Sequence, residues 1–295
     1  TGPDASQVAD VDVAGNAGGQ YGDVDYVSNP SLAYLYGVWP QASDALSSVN
    51  RYQACFSTSA SCAGGIVVVY PGSCTTSGSL CYVSAATSLV SEGTYYLCVN
   101  ATDNAGNTSS WRCSDGITMD WTAPAGGSIS YSDGWVQSAN LRVTVSNGTD
   151  PVSGIGAPTT VQRQAVDRTG AACNFATSPW TNIASNPTGY IDDTIESGKC
   201  YRYRYVVPDM AGNTATFDGS SIVTVDTELP TNPAQLDISD LSTSMVDNDW
   251  TRNTTVLSAS WNAGADALSG VRDYDACFST SSTQCSAIAG TGMQS

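Results

Sequence analysis

Apolar and polar positions alternate with period two in several segments of this chain. Leu32, Tyr34, Tyr36 and Val38 alternate with smaller residues, and so do Leu141, Val143 and Val145. In residues 95–101, Tyr95, Leu97, Val99 and Ala101 share one face, while Cys98 and Asn100 share the other. Tyr201, Tyr203, Tyr205 and Val207 repeat that pattern. Period two, carried by β-branched and aromatic residues, predicts half-buried strands. Each of the two strongest strands runs into Asp-x-Ala-Gly-Asn, at 103–107 and 209–213. Gly and Asn tolerate positive φ, so these strings predict turns. Short strands recurring at about seven per hundred residues, with turn signals between them, predict an all-β chain of sandwich type.

The pattern is also internally repeated. Residues 39–59 align without a gap on residues 261–281 and share Trp, Asp-Ala-Leu-Ser, Val, Tyr and Ala-Cys-Phe-Ser-Thr-Ser. A weaker copy, Gly-Thr-Asp-Pro-Val-Ser-Gly-Ile at 148–155, matches 264–271. Asp44, Asp150 and Asp266 therefore mark one position in three units, 106 and 116 residues apart. Asp103 and Asp209 are again 106 apart. Thr1, Pro3, Val8, Asp10 and Val11 correspond to Thr231, Pro233, Ile238, Asp240 and Leu241. A third Asp-x-Ala-Gly-Asn, at 12–16, is read as part of an insertion in the first unit; the other reading is the tail of a preceding unit. The strings at 120–124 and 226–230 end in proline and read as short linkers. Three units follow: 1–122, 123–230 and 231–295. The third lacks the second half of its pattern and is incomplete.

An aliphatic residue and a glycine precede each strand-opening tyrosine: Leu89, Gly93, Tyr95 and Ile195, Gly198, Tyr201. This spacing is similar to the tyrosine corner of sandwich domains. With Trp39 and Trp261, the strand starts at 47–52 and 269–274, and the Ala-x-Asp-x-Ala-Gly ending, the first and third units resemble fibronectin type III domains. The middle unit resembles the immunoglobulin-like repeats of large microbial surface proteins, through Tyr-Ser-Asp-Gly at 131–134 and the run 200–213. The resemblance implies tandem β-sandwich domains, the last one incomplete. It says little about function, because such folds host many roles.

Composition narrows the function classes. Lys plus Arg is 10 against 27 Asp plus Glu, giving a net charge of −17, and histidine is absent. Nucleic-acid binding is excluded by the missing clusters of Lys and Arg. Without His there is no Ser-His-Asp or Cys-His dyad, no histidine metal ligand and no histidine pH switch. The longest apolar run, 66–70, is strand-sized and does not span a membrane. Ten cysteines without histidine point to disulfides and an oxidising compartment. Cys277 and Cys285 are the only pair in the third unit and align with Cys55 and Cys62, so each pairs locally. Cys74 and Cys81 flank a turn, Cys98 and Cys113 lie on the last two strands, and Cys173 and Cys200 are the middle unit's pair. No Cys-x-x-Cys knuckle suggests zinc.

Aspartates recur at the start of units one and three: Asp10, Asp23 and Asp25, then Asp240, Asp247 and Asp249. These are the candidate Ca²⁺ ligands, since aspartate oxygens at a domain edge suit that ion; no other cofactor is called for. Aspartate also simply favours turns and solubility. No carboxylate pair stands in a glycosidase context. Lys199 is read as a solvated lysine. Sequons occur at Asn100, Asn107, Asn147 and Asn253, of which Asn107, at a turn, is the first choice for a glycan. Trp39 and Trp261 are read as core residues, and Trp111, Trp121 and Trp135 as packing between units near the first linker. The expected protein is extracellular or on a cell surface and is no enzyme. It is a structural or adhesive stalk, sheath or filament subunit that associates with itself or with surface proteins and glycans. The alternative is a carbohydrate- or ligand-binding accessory module of a secreted enzyme.

Overall fold

The computed structural model describes residues 9–12, 25–28, 34–62, 66–72, 74–77, 79–86, 91–170, 172–233, 235–239 and 258–276. The first stretch holds β1 (Ala9–Asp12), β2 (Tyr26–Val27), β3 (Tyr34–Pro40), β4 (Val49–Ser57), β5 (Ile66–Gly72), β6 (Thr75–Ser77), β7 (Leu80–Ala86), β8 (Gly93–Asp103), β9 (Arg112–Cys113) and β10 (Ile117–Met119). The next holds β11 (Ser128–Ser130), β12 (Gly134–Val136), β13 (Asn140–Ser146), β14 (Thr160–Asp167), β15 (Thr181–Ser185), β16 (Tyr190–Thr194), β17 (Lys199–Pro208), β18 (Thr214–Asp218) and β19 (Val223–Val225). Last come β20 (Gln235–Ser239) and β21 (Ser258–Trp261). No helix is present among the described residues, as the scarcity of strong helix formers predicts.

The first two sets of strands have the same plan. One sheet runs β1-β3-β7-β6 and faces a second, β2-β10-β8-β4-β5, with β9 added to β8. Likewise β11-β13-β16 faces β12-β19-β17-β14-β15, with β18 added to β17. The ladders are antiparallel except β2 on β10 and β12 on β19, where a short early strand joins the last strand in parallel. This is the sandwich plan of fibronectin type III and immunoglobulin-like domains, present twice in tandem. β20 and β21 form a separate two-stranded antiparallel ladder, in which Gln235 pairs with Trp261.

Each core sits between its two sheets. In the first, Trp39 from β3 and Cys81 from β7 meet Tyr52, Phe56, Leu97, Val99, Ile117 and Met119 from the opposite sheet. In the second, Leu141, Val143 and Val145 meet Val161, Tyr203, Tyr205, Val223 and Val225. Burying these side chains removes apolar surface from water at about 25 cal/mol per Å².

The tyrosine corners form. The Tyr95 hydroxyl donates to the Ser91 carbonyl (2.9 Å) and accepts from the Ser91 N–H (2.9 Å). The Tyr201 hydroxyl accepts from the Glu196 N–H at 2.9 Å. The two central strands differ in their outer faces. Along β17 burial alternates as the sequence predicts. Along β8 it does not: Cys98, Asn100 and Thr102 are buried as well as Leu97, Val99 and Ala101. Two disulfides cover that side, because Cys98 stands opposite Cys55 in the ladder and each is bridged outward, to Cys113 and Cys62. On β17 the outer face carries Arg202 and Arg204 instead, both stacked on Trp180 at 5.3 and 4.4 Å. Their guanidinium groups donate to Gln164 and Gln162.

Candidate functional site

The chemistry gathers at the ends of the sandwiches. Asp120 follows β10, Asp150 lies in the loop after β13, and Asp209 follows β17. One carboxylate oxygen from each lies within 4.8 Å of the other two. Asp120 is fully buried and Asp209 is 3% exposed.

Local turn chemistry fixes each carboxylate. Asp150 Oδ1 accepts the N–H groups of Val152, Ser153 and Gly154 (3.0, 2.9 and 3.1 Å), so the Asp-x-x-Ser-Gly loop wraps its own aspartate. Asp209 closes the Asp-x-Ala-Gly-Asn turn: Oδ1 accepts from the Asn213 backbone and Oδ2 from the Asn213 side chain. Asp120 Oδ1 accepts from Thr122 N–H. The three segments are then tied together. Ser153 N–H donates to Asp120 Oδ2 at 3.1 Å, and the Asn213 amide donates to the Asp120 carbonyl at 2.9 Å. Gly156 N–H donates to the Pro208 carbonyl at 2.9 Å, and a Cβ on Gly156 would overlap the Asp209 carbonyl. Glycine at 156 is what allows the two loops to lie in contact.

Two groups are left over. Asp150 Oδ2 and Ser153 Oγ are buried and have no hydrogen-bond partner. The ion pairs among the described residues use Asp167, Asp192, Asp193, Glu196 and Asp273, and none of the three clustered carboxylates.

The arrangement recurs at the next linker. Asp226, 5% exposed, accepts the Glu228 N–H on Oδ1 and the Ser269 N–H on Oδ2. Asp266 Oδ1 accepts from Leu268, Ser269 and Gly270. Burial pushes the Asp266 carboxyl up, but those three N–H groups outweigh it and hold the group below its ordinary range. The first sandwich carries the other half of the pattern. Asp44 accepts from Ser47 and Leu46, which lower its pKa. Asp103 accepts from the Asn107 side chain, the main cause of its lowered value.

Of the aspartates expected to bind calcium, only Asp10 and Asp25 are among the described residues, and neither belongs to this cluster. Asp10 belongs to β1 and Asp25 is exposed ahead of β2, while Asp23, Asp240, Asp247 and Asp249 lie outside the described residues. Asp120, Asp150 and Asp209 carry a signal the sequence reading used only to align the units: each recurs at the unit spacing.

The structure bridges Cys55 to Cys62, Cys74 to Cys81, Cys98 to Cys113 and Cys173 to Cys200. Cys277 and Cys285 lie outside the described residues. Of the sequons, Asn100 requires a correction. It is 5% exposed within β8, and a folded sandwich has no room there for a glycan. The Asn107 amide nitrogen donates to Asp103, and Asn147 Oδ1 accepts from the Tyr205 hydroxyl at 2.5 Å. Asn253 lies outside the described residues.

Trp39 takes the core position expected of it, but Trp111, Trp121 and Trp135 are placed differently. Trp39 is buried in the first core and Trp121 packs against it. Trp111 is exposed, and no cluster of three tryptophans forms at the first linker. Trp135 pairs with Thr224 near the second linker, because the parallel β12–β19 ladder carries it to that end. There it lines a cleft of about 720 Å³ with residues of 226–230 and 266–273. Arg168 stacks on its ring at 4.6 Å and donates to the Leu268 carbonyl at 2.8 Å. Lys199 pairs with Glu196 at 3.1 Å and Asp167 at 3.9 Å, and Glu196 chiefly raises its pKa.

No family model matches this chain, and no curated protein does. Among solved structures, the chicken CNTN1 FN1–FN3 domains are 14% identical (TM-score 0.32), with 76% of this chain and 66% of that one covered. The fibronectin(III)-like modules of Clostridium thermocellum CbhA are 9% identical (TM-score 0.33, 75% and 94% covered). A marsupial T cell receptor is 12% identical (TM-score 0.39, 79% of each chain covered).

Proposed function

We propose that the chain is a stretch of an extracellular, disulfide-stapled repeat array whose role is structural or adhesive: it holds and spaces, and it does not convert a substrate. One observation carries this reading. Both linkers begin with a buried aspartate, Asp120 or Asp226, which accepts an N–H from the Asp-x-x-Ser-Gly loop of the unit that follows, at Ser153 or Ser269. A freely jointed string of domains has no need of the same buried contact at successive junctions, whereas a spacer of fixed geometry does. The four disulfides among the described residues fit an oxidising, extracellular setting. No helix among the described residues is long and apolar enough to cross a membrane.

An accessory module that binds sugars would present open aromatic faces. Trp135 lines a cleft, but Arg168 stacks on its ring. Small-angle scattering with micrographs of the purified chain tests the spacer reading. An elongated particle with one dominant interunit angle is expected. A broad distribution of angles, or glycan-array binding abolished by W135A, would replace it with the accessory-module reading.

A further inference from the structure

We infer that Asp120, Asp150 and Asp209 bind a calcium ion at the junction of the first and second sandwiches. Their oxygens lie within 4.8 Å of one another, and two of the three residues are at least 97% buried. Like charges this close and this dry repel one another unless a cation or a proton joins them. Side-chain cations do not meet the need, since the ion pairs of the described residues use none of the three.

A second observation points to a ligand. Asp150 Oδ2 is buried without a donor, and Ser153, 8% exposed, has a buried Oγ without a partner. Ser153 belongs to the same cluster, because its N–H bonds to both Asp120 and Asp150. Buried oxygens without partners are costly, and a native site explains them by an ion or a water. Meanwhile the surrounding N–H groups are spent on Asp150 Oδ1, Asp120 and Asp209, which orients the carboxylates in advance of any ion.

The donor set selects the ion. It consists of oxygens only, with no nitrogen or thiolate, and so suits a hard cation. Three carboxylates favour a divalent one. The residues come from a linker and two loops, and such irregular geometry suits Ca²⁺, whose coordination is flexible, over Mg²⁺, which demands a near-ideal octahedron. Asp120 belongs to the linker and the other two to the second sandwich, so the ion ties one to the other. The second junction repeats two of the three carboxylates, Asp226 and Asp266, with the same hydrogen bonds.

The test counts calcium ions bound per chain by equilibrium dialysis, for the full chain and for Asp150→Asn. The variant should bind one ion fewer. In calcium-saturated buffer the wild-type transition should rise by roughly 10 °C over its value in EGTA, and D150N should lose the part due to this site. In EGTA the variant should melt at or above wild type, because it removes one of three clustered negative charges while its amide oxygen can still accept the loop N–H groups. A purely structural aspartate predicts the opposite, a lower melting temperature with an unchanged ion count. Sensitised Tb³⁺ emission through Trp121, displaced by Ca²⁺ but not by equal Mg²⁺, reads the site in the unmutated chain. Absence of calcium binding below millimolar concentration, or an equal count in D150N, overturns the assignment. Neither result touches the hydrogen bonds that support the spacer reading.

Discussion

At the residue scale, aspartate does more than supply charge. Asp44, Asp103 and Asp266 each accept several turn N–H groups, and each has a carboxyl held below its ordinary value. Asp192 is lowered chiefly by its bond from Arg142. A folded-state pKa below the unfolded one gives stability that is complete above the unfolded pKa and is lost as pH falls through the folded value. The loss should therefore begin near pH 4 and grow below it, with little change between pH 5 and 8. Thermal unfolding in EGTA at pH 7, 4 and 3 checks this; a steep loss between pH 7 and 5 would refute it. The preference for Asp over Glu is legible in the same terms, since only the shorter side chain closes these turns on its own backbone.

At the element scale, β8 and β17 show how one pattern is finished in two ways. Both present tyrosine and aliphatic side chains to the core. On β8 two disulfides cover the other face, and on β17 the stacked Arg202, Trp180 and Arg204 do so. The second sandwich has a single bridge among its described residues, Cys173–Cys200, which closes a separation of 27 residues, against 7 for Cys55–Cys62. Chain entropy makes the longer loop the more stabilising, at about 3–4 kcal/mol against about 2–3. Replacing Cys173 and Cys200 by serine should lower the denaturant midpoint of the second sandwich more than the equivalent change at Cys55 and Cys62 lowers that of the first. Equal effects would show that strand packing, not loop closure, sets the difference.

At the scale of the whole molecule, the junctions decide whether the chain behaves as a rod or as beads. Asp226 joins the second linker to the 266–270 loop through Ser269, and Arg168 adds a bond to the Leu268 carbonyl. Asp226→Ala should raise the rate of proteolytic cleavage within residues 226–233 several-fold, while the second sandwich keeps its unfolding free energy to within about 1 kcal/mol. Unchanged cleavage would mean that these bonds do not restrain the linker. The net charge of −17 acts at this scale too, opposing nonspecific aggregation.

The sequence by itself determined the strand class, the repeat, the local tyrosine corners and the absence of histidine chemistry. All of these are set by near neighbours or by period two, where a side chain's face follows from its position alone. The four cysteine pairs among the described residues were equally legible, because the repeat restricts each cysteine to its own unit. Only the tertiary structure decided which aspartates meet. Asp120, Asp150 and Asp209 are 30 and 59 residues apart, and they converge because the parallel and antiparallel ladders bring three loop ends to one edge of the second sandwich. The β12–β19 ladder carried Trp135 to the second linker, and in the first sandwich Asn100 is buried on β8. Alternation shows which face of a strand a residue takes, but strand order and the covering of each face decide what it meets.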